Sequence, residues 1–352
     1  MQITSIDVVL PRRVPPHDLP AALAARRPSY ALALGWSCLQ PDETGAVDPV
    51  AVHQSMLGRT MLDRPVLQQF SDPDDATRLC DCLGFSGAYI SDHDSASDMA
   101  EACVRSLMGR RSDLAEAGLA AIIYSHATPE EHPNLTPSFR IQTAIGNNRS
   151  LPFSVAGNGA ASFVSALQVA ETFFGMEAGA QSVLVVTADR FLPPVHARIG
   201  DFTLFSDAAS AMVLEREPSP GGCRLLGSVM TPALVGRFDW TGPVDVAEAE
   251  EAIAAATAET IATLLQTHGK DPSDVSALAP QQVSARLTRL ILDRVPGLPN
   301  PPVSNALAGN FATSAMAIAL RQVLADAPAG SLILGWCMDL DGTLAAALFE
   351  GT

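Results

Sequence analysis

The chain has 352 residues, 47% hydrophobic, 17% charged and only 5% aromatic. This balance excludes a disordered or fibrous protein and leaves Ala, Leu and Val to fill a sizeable core. With 22 basic against 38 acidic residues, the formal net charge of −16 disfavours nucleic acid and anionic membrane as partners.

The opening MQITSIDVVLPRR has no apolar core behind a basic start, so it does not read as a secretory signal. No apolar run approaches the roughly 18 residues that a membrane span needs. Six cysteines (Cys38, Cys80, Cys82, Cys103, Cys223, Cys337) show no disulfide rhythm, and Cys80-Asp81-Cys82 is too isolated for a metal site. A cytoplasmic protein with reduced thiols is expected. Residues 20–80 carry Pro and Asp that interrupt weak helical patterns, and are read as an insertion or lid over one end of a sheet.

From there the elements are clear. Residues 97–110 predict a helix capped by Ser97-Asp98. The run AAIIYSH (120–126) predicts a buried strand ending at His126, and PFSVAGNGAASFVSALQVA (152–170) a strand, a tight turn and an apolar helix. SVLVVTADR (182–190) is a further strand. The turn-rich EPSPGG (217–222) sets an expected boundary between an N-terminal half, 1–217, and a C-terminal half, 218–352. Residues 246–267 predict an Ala- and Glu-rich helix, acidic early and stopped by His268-Gly269. SALAP (276–280) and SLILGW (331–336) are short strand-like runs.

The chain also repeats itself. Gly157-Asn-Gly-Ala-Ala-Ser162 followed by an apolar helix recurs as Gly309-Asn-Phe-Ala-Thr-Ser314 followed by another. Each copy precedes a strand, and each is preceded by a short apolar run and an amphipathic stretch. Buried strands alternating with helices predict parallel βαβ units, and two such halves an internally duplicated α/β architecture.

Four stretches carry a family resemblance. Leu204-Phe-Ser-Asp-Ala-Ala-Ser-Ala before a core strand, the elbow-like 152–170, ALAPQQ (277–282) and GNFATSAMAIAL (309–320) resemble, in this order, motifs of the β-ketoacyl-acyl carrier protein synthase III branch of the thiolase superfamily. The resemblance covers roughly residues 84–352. It implies a duplicated five-layer αβαβα fold, and a homodimer or a heterodimer with a related synthase. It also implies an acyl-CoA or acyl carrier protein thioester as substrate, with no bound cofactor and no metal. An acidic chain needs a local basic patch for such a partner. Arg12-Arg13, Arg26-Arg27, Arg110-Arg111 or the set Arg286, Arg289 and Arg294 are available, although plain surface charge is the commoner reading.

The departures from the pattern bear on the chemistry. Counting back three residues from Phe163 places Ala160 where the family has its catalytic cysteine, and a methyl group cannot attack a thioester. Gln281 stands where the family has histidine, and a carboxamide does not titrate near neutrality. Asn310 keeps the family's catalytic asparagine. Phe205, Gly309 and Cys337 are assigned by resemblance to substrate binding. Cys337 sits in C337-M-D-L-D-G342, which replaces a glycine-rich loop, and a small buried thiol is the commoner role for such a residue. His126 is the best-placed candidate base, against the ordinary alternative of a structural or solvent-facing histidine. His132 and His196 lie in Pro-rich loops and are weaker candidates. Two look-alikes are incidental. The GNGAAS turn lacks the third glycine of a dinucleotide fingerprint, and His126-Ala-Thr-Pro-Glu-Glu-His132 has the wrong spacing for a helical zinc motif.

Three functions are compatible with these residues. The first is an acyltransferase of a specialised polyketide or fatty-acid-type pathway that works without a cysteine acyl-enzyme. The second is a catalytically silent subunit paired with an active relative. The third is a condensing enzyme in which Ala160 is an engineered replacement of cysteine, which Gln281 argues against.

Overall fold

The computed structural model describes residues 1–26, 70, 72–114, 118–130, 136–192, 197–217, 221–238, 240, 244–301 and 308–352. Cys38, His132, His196 and most of the 20–80 segment lie outside them.

The strands are β1 (Gln2–Val9), β2 (Arg12–Val14), β3 (Ala88–Ile90), β4 (Ala121–Ser125), β5 (Leu151–Val155), β6 (Ser182–Asp189), β7 (Arg198–Ile199), β8 (Thr203–Leu204), β9 (Ala208–Glu215), β10 (Cys223–Thr231), β11 (Ala277–Leu278), β12 (Leu332–Met338) and β13 (Leu344–Gly351). The helices are α1 (Leu19–Ala24), α2 (Pro73–Leu83), α3 (Ala96–Arg110), α4 (Pro137–Ala144), α5 (Ser162–Met176), α6 (Val246–Thr267), α7 (Ala285–Arg294) and α8 (Ala315–Leu324).

Nine strands form one sheet in the order β11-β12-β13-β10-β1-β9-β6-β4-β5. The expectation of parallel βαβ units holds only in part. β4 pairs parallel with β5 and β6, and β11 with β12. β9 and β1, like β13 and β10, run antiparallel to their neighbours. The reason lies in the connections: β12 reaches β13 through a turn of five residues, too short for the helical crossover that a parallel pair requires.

Side-chain alternation along the strands sorts the core into layers. Ile122 and Tyr124 of β4, with Leu184, Val186 and Ala188 of β6, face α3. Their neighbours Ile123, Val183 and Val185 face the opposite way, into a central layer built by α5 and α8. From the other side Ile333, Cys337, Ala345 and Ala347 enter the same layer, while Leu334, Trp336, Ala346 and Leu348 face α6 and α7. The result is five layers, αβαβα, with the two related turn-and-helix segments, α5 and α8, at the centre. Burial on both faces explains why these strands read as continuous apolar runs.

Local signals set several ends. The cap of α3 is not Ser97-Asp98 but Ser95, whose hydroxyl accepts the Asp98 N–H at 3.1 Å while the Asp98 carboxylate accepts the Ser95 N–H at 2.8 Å. This capping box satisfies orphan donors at both positions and starts the helix at Ala96. α6 spans the expected 246–267, capped by Asp245. Of the 20–80 segment, α1, Phe70 and α2 are described, and pack with Phe191, Leu204 and Ala312.

The arginines proposed for a basic patch are mostly engaged. Arg12 pairs with Asp92, Arg26 with Asp207, Arg110 with Asp7, Arg111 with Asp113 and Glu215, Arg286 with Glu250 and Arg294 with Glu251. No described helix is long and apolar enough to cross a membrane.

Candidate active site

Gln281 lies just past β11, where its N–H donates to Trp336 O at 2.8 Å and extends the pairing with β12. Its side-chain Oε1 accepts the N–H of Met338 at 2.7 Å, and its Nε2 donates to Oδ1 of Asn310 at 3.0 Å. Both residues are buried, at 4% and 2% exposure. Residues 29 apart in sequence thus form one amide pair at the ends of the C-terminal strands.

Asn310 is held by its backbone as much as by its side chain. Its N–H donates to Leu204 O at 2.7 Å and its carbonyl accepts from the Ser206 N–H at 2.8 Å, a short parallel bridge opposite Phe205. Gly309, at φ +76°, permits this approach: a Cβ there would overlap the Ser206 hydroxyl and lie 2.9 Å from Leu204 O. Oδ1 of Asn310 also accepts the N–H of Ala312 at 3.1 Å. Ala312 is the one non-glycine residue with positive φ (44°) among those described, a conformation that persists only where its surroundings enforce it.

These contacts fix which way both amides point. The backbone N–H groups of Met338 and Ala312 can only donate, so the amide oxygens must face them and the NH2 groups face away. Nε2 of Gln281 keeps one N–H beyond its bond to Asn310. Among the described residues, Nδ2 of Asn310 makes only a long 3.4 Å contact, to Thr203 Oγ1.

Ala160 sits in a 3-10 turn, Gly159–Ala161, that leads into α5 and packs against β12 and against the related turn Ala312–Ser314. Its methyl is 3% exposed and joins the central apolar layer with Met316 and Cys337. Cys337 is 2% exposed in that layer, and burial, assisted by the charge of Asp339, pushes its thiol well above the ordinary range. The geometry therefore fits a buried apolar thiol. Phe205 is half-buried and stacks on Phe191, ring centroids 4.3 Å apart.

His126 is placed differently. Its Nδ1 meets the carbonyl of Thr128 at 2.8 Å, so that nitrogen carries the proton, and its ring lies 5.3 Å from that of Tyr124. These partners belong to its own strand and loop, and none of its described contacts reaches Gln281, Asn310 or Ala160.

One residue beside the turn escaped the sequence reading. A Cβ added to Gly159 (φ +47°) would overlap the carboxylate of Asp339, so this acid lies directly against the backbone preceding Ala160. Burial, and then the like charge of Asp341, push Asp339 up to about 6. Asp339 is the first residue past β12, in the segment 337–342 that the sequence marks as a departure from the family's glycine-rich loop.

Two cavities stand out among the described residues. One of about 10 Å³ lies beside Gln281, Trp336 and Met338, room for one water at most. The other, about 570 Å³ and lined by Ala120, Asn147, Arg149 and Gln181, lies at the entry ends of β4, β5 and β6. Ligands of such sheets bind outside the opposite, carboxyl ends, where Ala160 and His126 are found. Among the described residues no group of His, Cys, Asp and Glu is arranged to hold a metal.

A buried double-layered core around two related helices, with an amide pair and a closed turn at the strand ends, defines a thiolase-fold protein. Residues 156–232 match the family described as 3-oxoacyl-[acyl-carrier-protein] synthase III. The chain is 30% identical over 236 residues to a β-ketoacyl-[acyl-carrier-protein] synthase III of Rhodospirillum centenum, a match covering 58% of this chain and 67% of that one. The chain belongs to the β-ketoacyl-acyl carrier protein synthase III family, whose members are acyl-transferring or condensing enzymes. In fold it is similar to the Aquifex aeolicus 3-oxoacyl-[acyl-carrier-protein] synthase III, with TM-score 0.71, 17% identity and 99% of both chains covered. It is also similar to the acyltransferase ChlB3, with TM-score 0.69, 18% identity, and 99% of this chain and 97% of that one covered.

Proposed function

We propose that this protein transfers an acyl group from a coenzyme A or carrier-protein thioester directly to an acceptor, without an acyl-enzyme on Ala160. The observation that carries this reading is the Gln281–Asn310 amide pair, whose oxygens are pinned by backbone N–H groups so that N–H donors remain on the other side. Preorganised donors of this kind stabilise the oxyanion that forms when a thioester carbonyl is attacked, one of the larger single contributions to acyl-transfer catalysis. Holding acceptor and thioester together supplies the rest by proximity. Ala160 takes the cysteine position of the family and Gln281 that of the histidine. The reaction R–CO–SR′ + X–H → R–CO–X + HSR′ then runs in one displacement.

A second reading has one observation in its favour. The cavity beside Gln281 is only about 10 Å³, which suits a silent subunit that pairs with an active relative. Incubation of the purified chain with a panel of acyl thioesters and nucleophilic acceptors separates the two. Free thiol released with no increase in protein mass, and lost in Asn310→Ala, supports direct transfer. No release from any pair supports the silent subunit.

A further inference from the structure

We infer that the carboxylate of Asp339 accepts the proton of the acceptor nucleophile, taking the role of the titrating group that the Gln281 site lacks. This rests on the direct-transfer reading above.

The geometry makes the case. Direct displacement needs a base close to where the acceptor meets the carbonyl, and neither Ala160 nor Gln281 can serve. His126 donates its Nδ1 proton to Thr128 O, which leaves Nε2 as its basic nitrogen, but none of its described contacts reaches the amide pair or Ala160. Asp339 lies against the turn that carries Ala160. It follows Met338, whose N–H orients the Gln281 amide, and its carboxylate occupies the space that a side chain at position 159 would fill. Gly159 therefore makes room for the acid, next to Ala160.

The backbone of Asp339 is fixed by the β12–β13 turn: its N–H donates to Thr343 O at 2.9 Å and its carbonyl accepts from Gly342 at 3.1 Å. Asp341, on the same turn, has its Oδ1 occupied by the Thr343 N–H at 2.7 Å and its Oδ2 by the Thr343 hydroxyl at 3.2 Å. It supplies the like charge that, after burial, raises Asp339. The turn at 159–161 brings no other titratable group to this carboxylate, and β12 brings only the buried thiol of Cys337. In the transfer step the acceptor X–H bonds to the acyl carbon as the C–S bond breaks. Its proton passes to Asp339 and from there to the departing thiolate, so the carboxylate is regenerated.

The test measures thiol release by the full-length protein, with a thioester and acceptor pair that the wild type turns over, across pH 4.5–8.5. The wild type is expected to gain kcat/KM with rising pH and to level off above about pH 6. Asp339→Asn keeps the shape and removes the base. It is expected to lower kcat about 10²- to 10³-fold at neutral pH, to leave KM within about threefold, and to abolish the ascending limb. Gly159→Ala leaves Asp339 in the chain but excludes its carboxylate, and is expected to lose the limb as well. An Asp339→Asn enzyme that keeps its rate and its limb, while Asn310→Ala is inactive, overturns the role of Asp339 and leaves direct transfer standing. A wild type that releases no thiol with any pair overturns both.

Discussion

Asp189, at the end of β6, accepts the N–H of Thr313 at 3.0 Å through Oδ2, while its Oδ1 accepts the N–H groups of Ala127 and Thr128 at 2.7 and 2.8 Å. One fully buried carboxylate thus ties the loop after β4, which carries His126, to the turn after Asn310. The Thr187 hydroxyl adds a parallel link, 2.6 Å from both Ser210 and Ser314. The two halves of the fold are locked together at the place where the amide pair sits.

Replacing this carboxylate tests the lock. In Asp189→Asn the new NH2 group faces either the Thr313 N–H or those of Ala127 and Thr128, leaving at least one charge-assisted bond unmade. Such a bond is worth about 1.5–3 kcal/mol, so a loss of at least about 1.5 kcal/mol is expected in urea unfolding. Thiol release should fall with it, because the turn carrying Asn310 loses its anchor.

The amide pair itself predicts a split between stability and activity. Asn310→Ala removes the acceptor for Gln281 Nε2 and for the Ala312 N–H, and is expected to cost about 1–3 kcal/mol. The same change should lower kcat about 10²- to 10³-fold, the usual effect of losing one oxyanion donor. Gln281→Glu should be harmful too: its carboxylate cannot donate to Asn310 Oδ1, and a buried charge beside that oxygen is unfavourable. Thermal melting and steady-state kinetics on the two variants check this.

Gly309 offers a purely steric test. At φ +76°, with the Ser206 hydroxyl and Leu204 O in the way of any Cβ, Gly309→Ala must open the Phe205–Asn310 bridge. A loss of about 1–3 kcal/mol is expected from strain and overlap, with thiol release reduced out of proportion to the fraction unfolded.

Asp339 predicts a gain rather than a loss of stability. In the folded protein it keeps its proton up to about pH 6, whereas an exposed aspartate loses it near pH 4. The native state therefore binds more protons than the unfolded one in this window. The stability that this group contributes is full below about pH 4 and is lost as pH rises through about 6. Asp339→Asn abolishes that loss, and at pH 7–8 should be more stable than the wild type by up to about 3 kcal/mol. Urea titrations at pH 4 and pH 7.5 check the sign: the two proteins should differ little at the lower pH and most at the higher.

Several residues of this candidate site are legible in the sequence, and those that are not have an identifiable cause. Asn310, Gly309, Gln281 and Ala160 are singled out by resemblance to family motifs, at GNFATS, at ALAPQQ and by the spacing to Phe163, and the structure joins Gln281 to Asn310 and packs the turn of Ala160 on the turn that follows Asn310. His126, just past β4, is turned to Thr128, a choice made by a carbonyl two residues away that no pattern encodes. Asp339 was passed over because an acid in a turn normally reads as solvated. Its burial depends on Gly159, a residue far away in the chain. The parallel sheet expected from strand and helix alternation became a mixed one because β12 reaches β13 through a five-residue turn and no described helix lies between β6 and β9.

By itself the sequence determined the class of fold and the internal repeat of the Gly-Asn turn and helix. Each depends on residue identity and on short-range periodicity, which the chain carries locally. Tertiary structure alone decided that the Gln281 and Asn310 amides face one another with their oxygens pinned, and that Asp339 is pressed against Gly159. Those contacts join residues brought together only when two halves of a sheet close over the same pair of helices. Their energetics depend on burial, which no local segment can fix.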